Sequence, residues 1–276
     1  MAVVLLVVHE DRPEAVAQAD SLAGTLADGG HRVVRSDAAG FDGNAPVSDL
    51  DLVVSLGGDG SILRAVHLLD GHPAPVLGVN HGELGYLTAV EPEEAGAAVG
   101  RALAGDHDIE ERMMLRIEVR RADGSPGVVD HALNEVVVAR TAASQTVRLG
   151  VSLDGEFLTS YAADGLIAAT PTGSTAYAFS ARGPIVDPVH RAIQLTPVSP
   201  HMLFDRTMVL DPSTEVGMEV LGQREATCSV DGRELVVLGG GDMVVCTVAD
   251  RVARLVTFGP RDFKLLLATK FGLEDR

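Results

Sequence analysis

Leu52-Val53-Val54-Ser55-Leu56-Gly57-Gly58-Asp59-Gly60-Ser61 carries an apolar run, broken only by Ser55, straight into three glycines and the start of a helical stretch. A strand without polar alternation is buried on both faces, the situation of a parallel strand covered by helices. The segment therefore predicts a strand, turn and helix unit of an α/β fold. Its turn falls at the carboxyl end of the strand, where such sheets bind ligands. There the glycines let backbone N–H groups approach a phosphate, and the helix N-terminus adds its partial positive charge. Asp59 is the odd residue in this seat, because a carboxylate beside phosphates repels them unless it accepts a proton from a nucleophile or shares a metal ion. The alternative is a tight turn in which Asp59 caps the helix.

The first hundred residues repeat that grammar. Val3 to Val8 predicts a strand, Pro13 opens a helix that Gly29 and Gly30 stop, and His31 to Arg35 and Pro75 to Val79 predict further strands. Ser61 to Leu69 and Pro92 to about Ala104 predict helices. From about Arg112, β-branched stretches separated by Asp-Gly and Gly-Pro turns predict antiparallel strands: Met114 to Arg120, Leu133 to Arg140, Val147 to Leu153 and Glu156 to Tyr161. Ile193 to Pro197, Met208 to Leu210, Val216 to Leu221, Ala226 to Val230 and Met243 to Val248 continue the series, with hairpin turns at Asp154-Gly155 and Asp231-Gly232. Phe263 to Phe271 returns to helix.

Charge and composition remove several classes of function. A net charge of −17 repels nucleic acid and an anionic membrane surface, so any anionic ligand is held locally. The apolar run Ala2 to Val8 is too short to cross a membrane and has no basic region before it, which argues against a signal peptide. Lys264 and Lys270 are the only lysines, so a Walker A loop and a protein-kinase strand lysine are absent. Cys228 and Cys246 have no zinc or disulfide spacing and read as core thiols of a cytoplasmic protein. The histidines show no paired spacing, Met113-Met114 reads as core, and Asp187 and Asp205 read as loop acids, so no protein metal ligands are expected.

Two further segments carry chemistry. Leu133-Asn134-Glu135-Val136 sets an amide and a carboxylate in an apolar strand context, where each is costly without a partner. The pair suits ribose hydroxyls or an adenine edge; the alternative is an exposed pair at a strand start. After Asp164, Pro171 to Ser180 joins Gly173 to the hydroxyls of Thr172, Ser174, Thr175, Tyr177 and Ser180 at a helix start. That array suits purine recognition, or is an ordinary capped helix beginning at Ser174.

Gly57-Gly58-Asp59-Gly60 is the signature loop shared by NAD kinases, diacylglycerol kinases and 6-phosphofructokinases. With Val79-Asn80, Gly85-Tyr86-Leu87, the Asn134-Glu135 segment and Thr170-Pro171-Thr172-Gly173-Ser174-Thr175-Ala176-Tyr177, the chain resembles a bacterial NAD kinase over nearly its whole length. The Gly-Thr-Gly-Asn-Asp block of diacylglycerol kinases is not found downstream. The resemblance implies an α/β plus β fold: an N-terminal Rossmann-like α/β domain at 1–110, a C-terminal antiparallel β-rich domain at 111–255, and a segment at 256–276 returning to the first, with the active site in the cleft between the domains.

The implied reaction is phosphorylation of NAD on the 2′-hydroxyl of its adenosine ribose to give NADP, with ATP or polyphosphate as donor and Mg2+ or another divalent cation. By the same resemblance Asp59 is the general base, Gly57, Gly58 and Gly60 line the phosphates, and Asn134, Glu135, Asp164, Thr172, Thr175, Ala176, Tyr177 and Ser180 form the dinucleotide pocket. Arg64 resembles a residue near phosphate or is a surface arginine, Gln145 and Arg233 match weaker contacts, and Ala162 replaces an arginine of several relatives, which favours NAD over NADH. A homodimer or homotetramer is implied. The rival functions are a lipid or sugar kinase of the same superfamily and a non-catalytic NADP sensor.

Overall fold

Strands that are apolar at nearly every position have to be covered on both faces, and those of the first hundred residues are. The structure, a computed structural model, describes residues 1–37, 49–142 and 145–273, so the last three residues of the segment 256–276 lie outside it. Two compact units divide the chain, one comprising Met1–Glu111 and the residues from Ala253 on, the other Arg112–Val252.

In the first unit β1 (Val3–Val8), α1 (Pro13–Asp28), β2 (Arg32–Asp37), β3 (Leu52–Gly57), α2 (Asp59–Leu69), β4 (Val76–Asn80) and α3 (Ala95–Leu103) follow one another, α3 being entered through a 3-10 turn at Pro92–Glu94. The strands are parallel in the order β2-β1-β3-β4, with Leu5 opposite Val34 on one side and Val53 on the other. Every residue of β3 and β4 is buried. Helix α1 presents Ala15, Ala19, Leu22 and Leu26 to this sheet, and α3 presents Ala95, Ala98, Val99 and Ala102. Gly57 at the end of β3 is in register with Asn80 at the end of β4. The loops that follow the two strands therefore leave the sheet at the same edge.

β5 (Asp108–Arg120) carries the chain into the second unit. It begins six residues before the expected Met114, because Asp108, Glu110 and Glu111 hide a strand whose first turns are only partly covered. β6 (Val129–Ala132), β7 (Glu135–Arg140), β8 (Val147–Leu153), β9 (Glu156–Ala163), β10 (Gly165–Ala169), the single turn α4 (Tyr177–Ser180), β11 (Ile193–Val198), β12 (Met208–Leu210), β13 (Val216–Val220), β14 (Ala226–Val230), β15 (Arg233–Leu238) and β16 (Met243–Thr257) follow.

Among the described residues β12-β11-β10-β7-β14-β15 form one antiparallel sheet, and β16, β13, β8 and β9 are successive strands of another. Val136, Leu166, Leu195 and Cys228 from the first sheet share one core with Leu115, Leu149, Tyr161, Met218 and Cys246 from the second. Both cysteines are free and buried, as expected, and burial pushes the Cys228 thiol up to about 12.

Four details depart from the sequence reading. The expected strand Leu133 to Arg140 starts two residues later, at Glu135, with Leu133 and Asn134 in a bend between β6 and β7. β10 and β15 were not expected, since a motif covers the first and a turn signal the second. β16 runs on to Thr257 instead of stopping at Val248, because Asp250 is exposed and Arg251 bonds to His131, so both charges sit within the strand without being stranded. The turns at Asp154-Gly155 and Asp231-Gly232 form as expected, each with both residues at positive φ, the conformation of a tight two-residue hairpin. α5 (Phe263–Phe271) closes the chain and belongs to the first unit; the Asp262 carboxylate caps it by accepting from the Leu265 N–H at 2.9 Å.

Leu5 and Leu6 are both fully buried although adjacent strand residues point to opposite faces. Leu5→Ala and Leu6→Ala are each expected to destabilise the protein by about 2–5 kcal/mol in urea titrations. A change below about 1 kcal/mol at either would contradict a sheet covered on both sides.

Candidate active site

Gly57 ends β3 where no side chain fits, since a Cβ there would lie 2.1 Å from the Ser61 Oγ. Gly58 and Gly60 have open space around the position of a Cβ. The Ser61 N–H donates to the Gly58 carbonyl at 2.9 Å and the His81 N–H to the Gly57 carbonyl at 2.7 Å, which fixes the turn. The first amides of α2, those of Asp59 and Gly60, lie ahead of the helix's own carbonyl ladder, at the end where an anion gains most from the helix dipole.

Asp59 does not cap α2, which overturns the alternative of a capped turn. Its carboxylate reaches the loop after β4, where Oδ2 accepts from the Tyr86 N–H at 2.7 Å and Oδ1 from the Leu87 N–H at 2.9 Å. Gly85 makes this approach possible, since a Cβ there would lie 2.4 Å from Asp59 Oδ1. A carboxylate has about four acceptor positions, so two accepted bonds orient Asp59 and leave it able to accept from a hydroxyl. Burial and the neighbouring Asp59 push the Tyr86 hydroxyl above its usual range.

In the second unit Asp231 organises the other motif. It is the first residue of the β14–β15 turn, at φ +47°. Its carboxylate accepts from the Leu133 and Asn134 N–H groups at 2.8 Å each and the Glu135 N–H at 3.1 Å, while its own N–H donates to the Glu135 carbonyl at 3.0 Å. The Asn134 carbonyl accepts from the Thr170 N–H at 2.8 Å. A Cβ on Gly173 would meet that carbonyl at 2.2 Å. With its backbone engaged on both sides, Asn134 offers its side-chain amide.

Glu135 is buried, and burial first, then the Asp231 charge, push its carboxyl up to about 8 against an opposing bond from the Tyr177 N–H. At neutral pH it therefore holds a proton and can donate as well as accept. Its Oε2 is buried without a hydrogen-bond partner. Asp231 rises to about 6 through burial, opposed by its three amide bonds.

The hydroxyl-rich run is a 3-10 turn at Thr172–Thr175 followed by α4 rather than a helix beginning at Ser174. Three of its hydroxyls serve the protein's own structure. Thr172 Oγ1 accepts from the buried Arg112 at 3.1 Å, Ser174 Oγ bridges the Val186 N–H and carbonyl, and Thr175 Oγ1 donates to the Thr172 carbonyl at 3.3 Å. Tyr177, Phe179 and Ser180 are exposed and Ala176 is half-buried. Asp164 stands apart from this group, at the end of β10 opposite to the Ala169–Glu135 pairing, and pairs with Arg140 at 2.7 Å. Arg64 is half-buried on α2, Ala162 is exposed on β9 opposite Arg148, Gln145 is exposed, and Arg233 is paired with Asp130.

Among the described residues no three His, Cys, Asp or Glu side chains are grouped to hold a metal ion. This donor set does not build a resident metal centre. A divalent ion that keeps most of its ligands on nucleotide phosphates needs none. Asp231, Arg112 and Gly85 were missed as organising residues of these sites. Asp231-Gly232 signals a turn, but which amides an aspartate gathers depends on strands distant in sequence.

The ATP-NAD kinase N-terminal domain matches residues 41–107, and the ATP-NAD kinase C-terminal domain matches residues 133–258. The NAD kinase of Heliobacterium modesticaldum is 42% identical over 222 residues, covering 80% of this chain and 78% of the relative. That of Symbiobacterium thermophilum is 38% identical over 262 residues, covering 91% and 92%. Among solved structures, yeast NADH kinase complexed with NADH superposes with a TM-score of 0.90 at 23% identity, covering 100% of this chain and 89% of that one. An NAD kinase from Archaeoglobus fulgidus in complex with ATP does so at 0.75 and 23%, covering 99% and 98%. At that identity the structural likeness speaks for the fold.

Because the folded Glu135 binds its proton more tightly than the unfolded chain, its contribution to stability is fully present below about pH 4.5 and is lost as pH rises through about 8. Glu135→Gln keeps the shape and removes the titration. Its Tm relative to the parent is expected to rise steadily between about pH 5 and about pH 8. A Tm difference that does not change with pH would contradict a carboxyl held neutral by burial.

Proposed function

The chain belongs to the NAD kinase family and phosphorylates NAD to NADP, and we propose that Asp59 takes the proton from the attacking hydroxyl while Asn134, Glu135 and the Tyr177 segment hold the dinucleotide. NADP carries its extra phosphate on the 2′-oxygen of the adenosine ribose. That oxygen attacks the terminal phosphorus of ATP or polyphosphate, the bridging P–O bond of the donor breaks, and the proton of the hydroxyl passes to Asp59. Phosphoryl transfer needs positioning and charge stabilisation more than covalent help. The opening amides of α2 provide both for phosphate oxygens, with Gly57, Gly58 and Gly60 keeping the approach clear and Arg64 adding a positive charge. The donor enters with a divalent ion, most simply Mg2+, as the metal–nucleotide complex.

The observation that carries the assignment of Asp59 is its grip by two backbone amides. A carboxylate in such a place is oriented, close to the anion seat, and still able to accept. Glu135 supports the dinucleotide reading, since a buried, protonated carboxyl with an unpartnered oxygen gains a hydrogen bond from a ribose hydroxyl or an adenine edge. Thr172 and Thr175 shape this pocket, Ala176 and Ser180 border it, and Asp164, a strand's length away, contacts a more distant part of the dinucleotide. No described helix is long and apolar enough to cross a membrane, and two free thiols suit a reducing cytoplasm. Exposed Phe157 and Leu158 on β9 support assembly as a homodimer or homotetramer.

Asp59→Asn is expected to lower kcat by about 10²- to 10⁴-fold with the KM for NAD little changed. Asparagine presents an NH2 to one of the two loop amides, so a fall in stability of about 1–3 kcal/mol accompanies it. Near-normal kcat at saturating NAD and donor would require another base. Tyr177→Ala, at a residue 44% exposed, is expected to leave the circular dichroism spectrum unchanged and to raise the KM for NAD through loss of a stacking surface. An unchanged KM would remove Tyr177 from the site.

A further inference from the structure

The peptide group between Tyr86 and Leu87 is held from two sides. Its N–H, that of Leu87, donates to Asp59 Oδ1 at 2.9 Å. Its carbonyl, that of Tyr86, accepts from Arg261 Nη1. The same guanidinium donates through Nη2 to the Leu87 carbonyl at 3.2 Å and the Thr88 carbonyl at 3.4 Å, and its Nε lies 3.4 Å from the Glu110 carboxylate. Arg261 and Glu110 are both largely buried, with side chains 17% and 20% exposed. Arg261 therefore grips three consecutive carbonyls of the segment whose amides grip Asp59. Lys270 of α5 adds a cation 4.3 Å from the centre of the Tyr86 ring, so the C-terminal segment touches this loop twice.

We propose that Arg261 is the positioning residue for Asp59, acting through the Tyr86–Leu87 peptide group. The proposal rests on the reading of Asp59 as the base and deepens it. A cationic donor on the carbonyl polarises the peptide and strengthens its N–H as a donor on the other side. The planar fork of an arginine, with five donors in fixed directions, fixes the loop as a rigid body in a way one ammonium does not. Arg261 does not touch substrate in this account, and its loss frees the loop rather than removing a reacting group. A displacement of about 1 Å at the base is enough to cost about 10²-fold in rate.

Arg261 also lines a cavity of about 480 Å3 together with Tyr86, Thr88, Phe258, Leu265 and Leu266. A free guanidinium ion thus has a route to the place an alanine would vacate. The experiment is a double-mutant cycle read in kcat, with Arg261→Ala, Arg261→Lys, Asp59→Asn and the two combinations, together with addition of guanidinium at concentrations well below those that denature. Arg261→Ala is expected to lower kcat by about 10²-fold with the KM values for NAD and donor little changed. Arg261→Lys is expected to lie between it and the parent, and guanidinium is expected to restore part of the loss in Arg261→Ala.

In the Asp59→Asn background the Arg261 substitutions are expected to have almost no further effect on kcat, the mark of two residues acting as one unit. Full additivity, or a loss carried by KM alone, would overturn the proposal. If Arg261→Ala does not fold, the cycle is read with Arg261→Lys, and additivity there overturns it equally. If Asp59→Asn alone keeps its kcat, the base assignment itself has failed. If Asp59→Asn is impaired and both Arg261 variants keep kcat, only the positioning role has failed.

Discussion

Parallel pairing of β3 with β4 is the constraint on which the proposed reactive site depends. Two adjacent parallel strands in register from Val53–Val76 to Gly57–Asn80 end at the same edge of their sheet. The glycine turn after one and the Gly85 to Thr88 loop after the other are therefore neighbours in space although separated in sequence. That adjacency lets a side chain on the first residue of α2 accept hydrogen bonds from backbone amides 27 and 28 residues later. An antiparallel connection would have sent the second loop to the opposite edge. Close approach sets the second condition, because any side chain at Gly85 would occupy the space of the Asp59 carboxylate.

The β-rich unit solves a similar problem with the same device. Asp231 in a positive-φ turn gathers three successive amides at the break between β6 and β7. The break matters more than the strand it interrupts. It turns Asn134 out of the ladder and leaves Glu135 at the head of β7, buried and close enough to Asp231 for that charge to add to burial in disfavouring the ionisation of Glu135. Two aspartates, one in each unit, thus organise a loop by accepting from its backbone. Asp59 follows a glycine turn at the start of a helix whereas Asp231 sits in a hairpin, which is why we propose different roles for the two.

Much of the scaffold was legible in the sequence, for identifiable reasons. Unbroken apolar runs marked β1, β3 and β4, proline and glycine marked the ends of α1, and the two Asp-Gly turns marked their hairpins. What escaped was whatever local pattern contradicts. The charges at the start of β5 and within β16 hide strands because local sequence does not show which of them the fold leaves exposed, as Asp250 is, or pairs, as Arg251 is with His131. The hydroxyls of Thr172 and Ser174 looked available, and the fold uses them for Arg112 and Val186. Arg261 carried no signal at all, since an arginine before a short helix looks like any surface cation until the three carbonyls it meets are known.

The claim that joins these parts is that Asp59 accepts the proton of the ribose 2′-hydroxyl. A crystal structure of the protein with NAD bound would test it most directly, through the distance from the adenosine 2′-oxygen to the nearer Asp59 carboxylate oxygen. The account predicts hydrogen-bond reach, about 2.6–3.2 Å, with the Tyr86 and Leu87 amides still on the carboxylate. A 2′-oxygen well beyond that reach and hydrogen-bonded to a different acidic or basic side chain would contradict it.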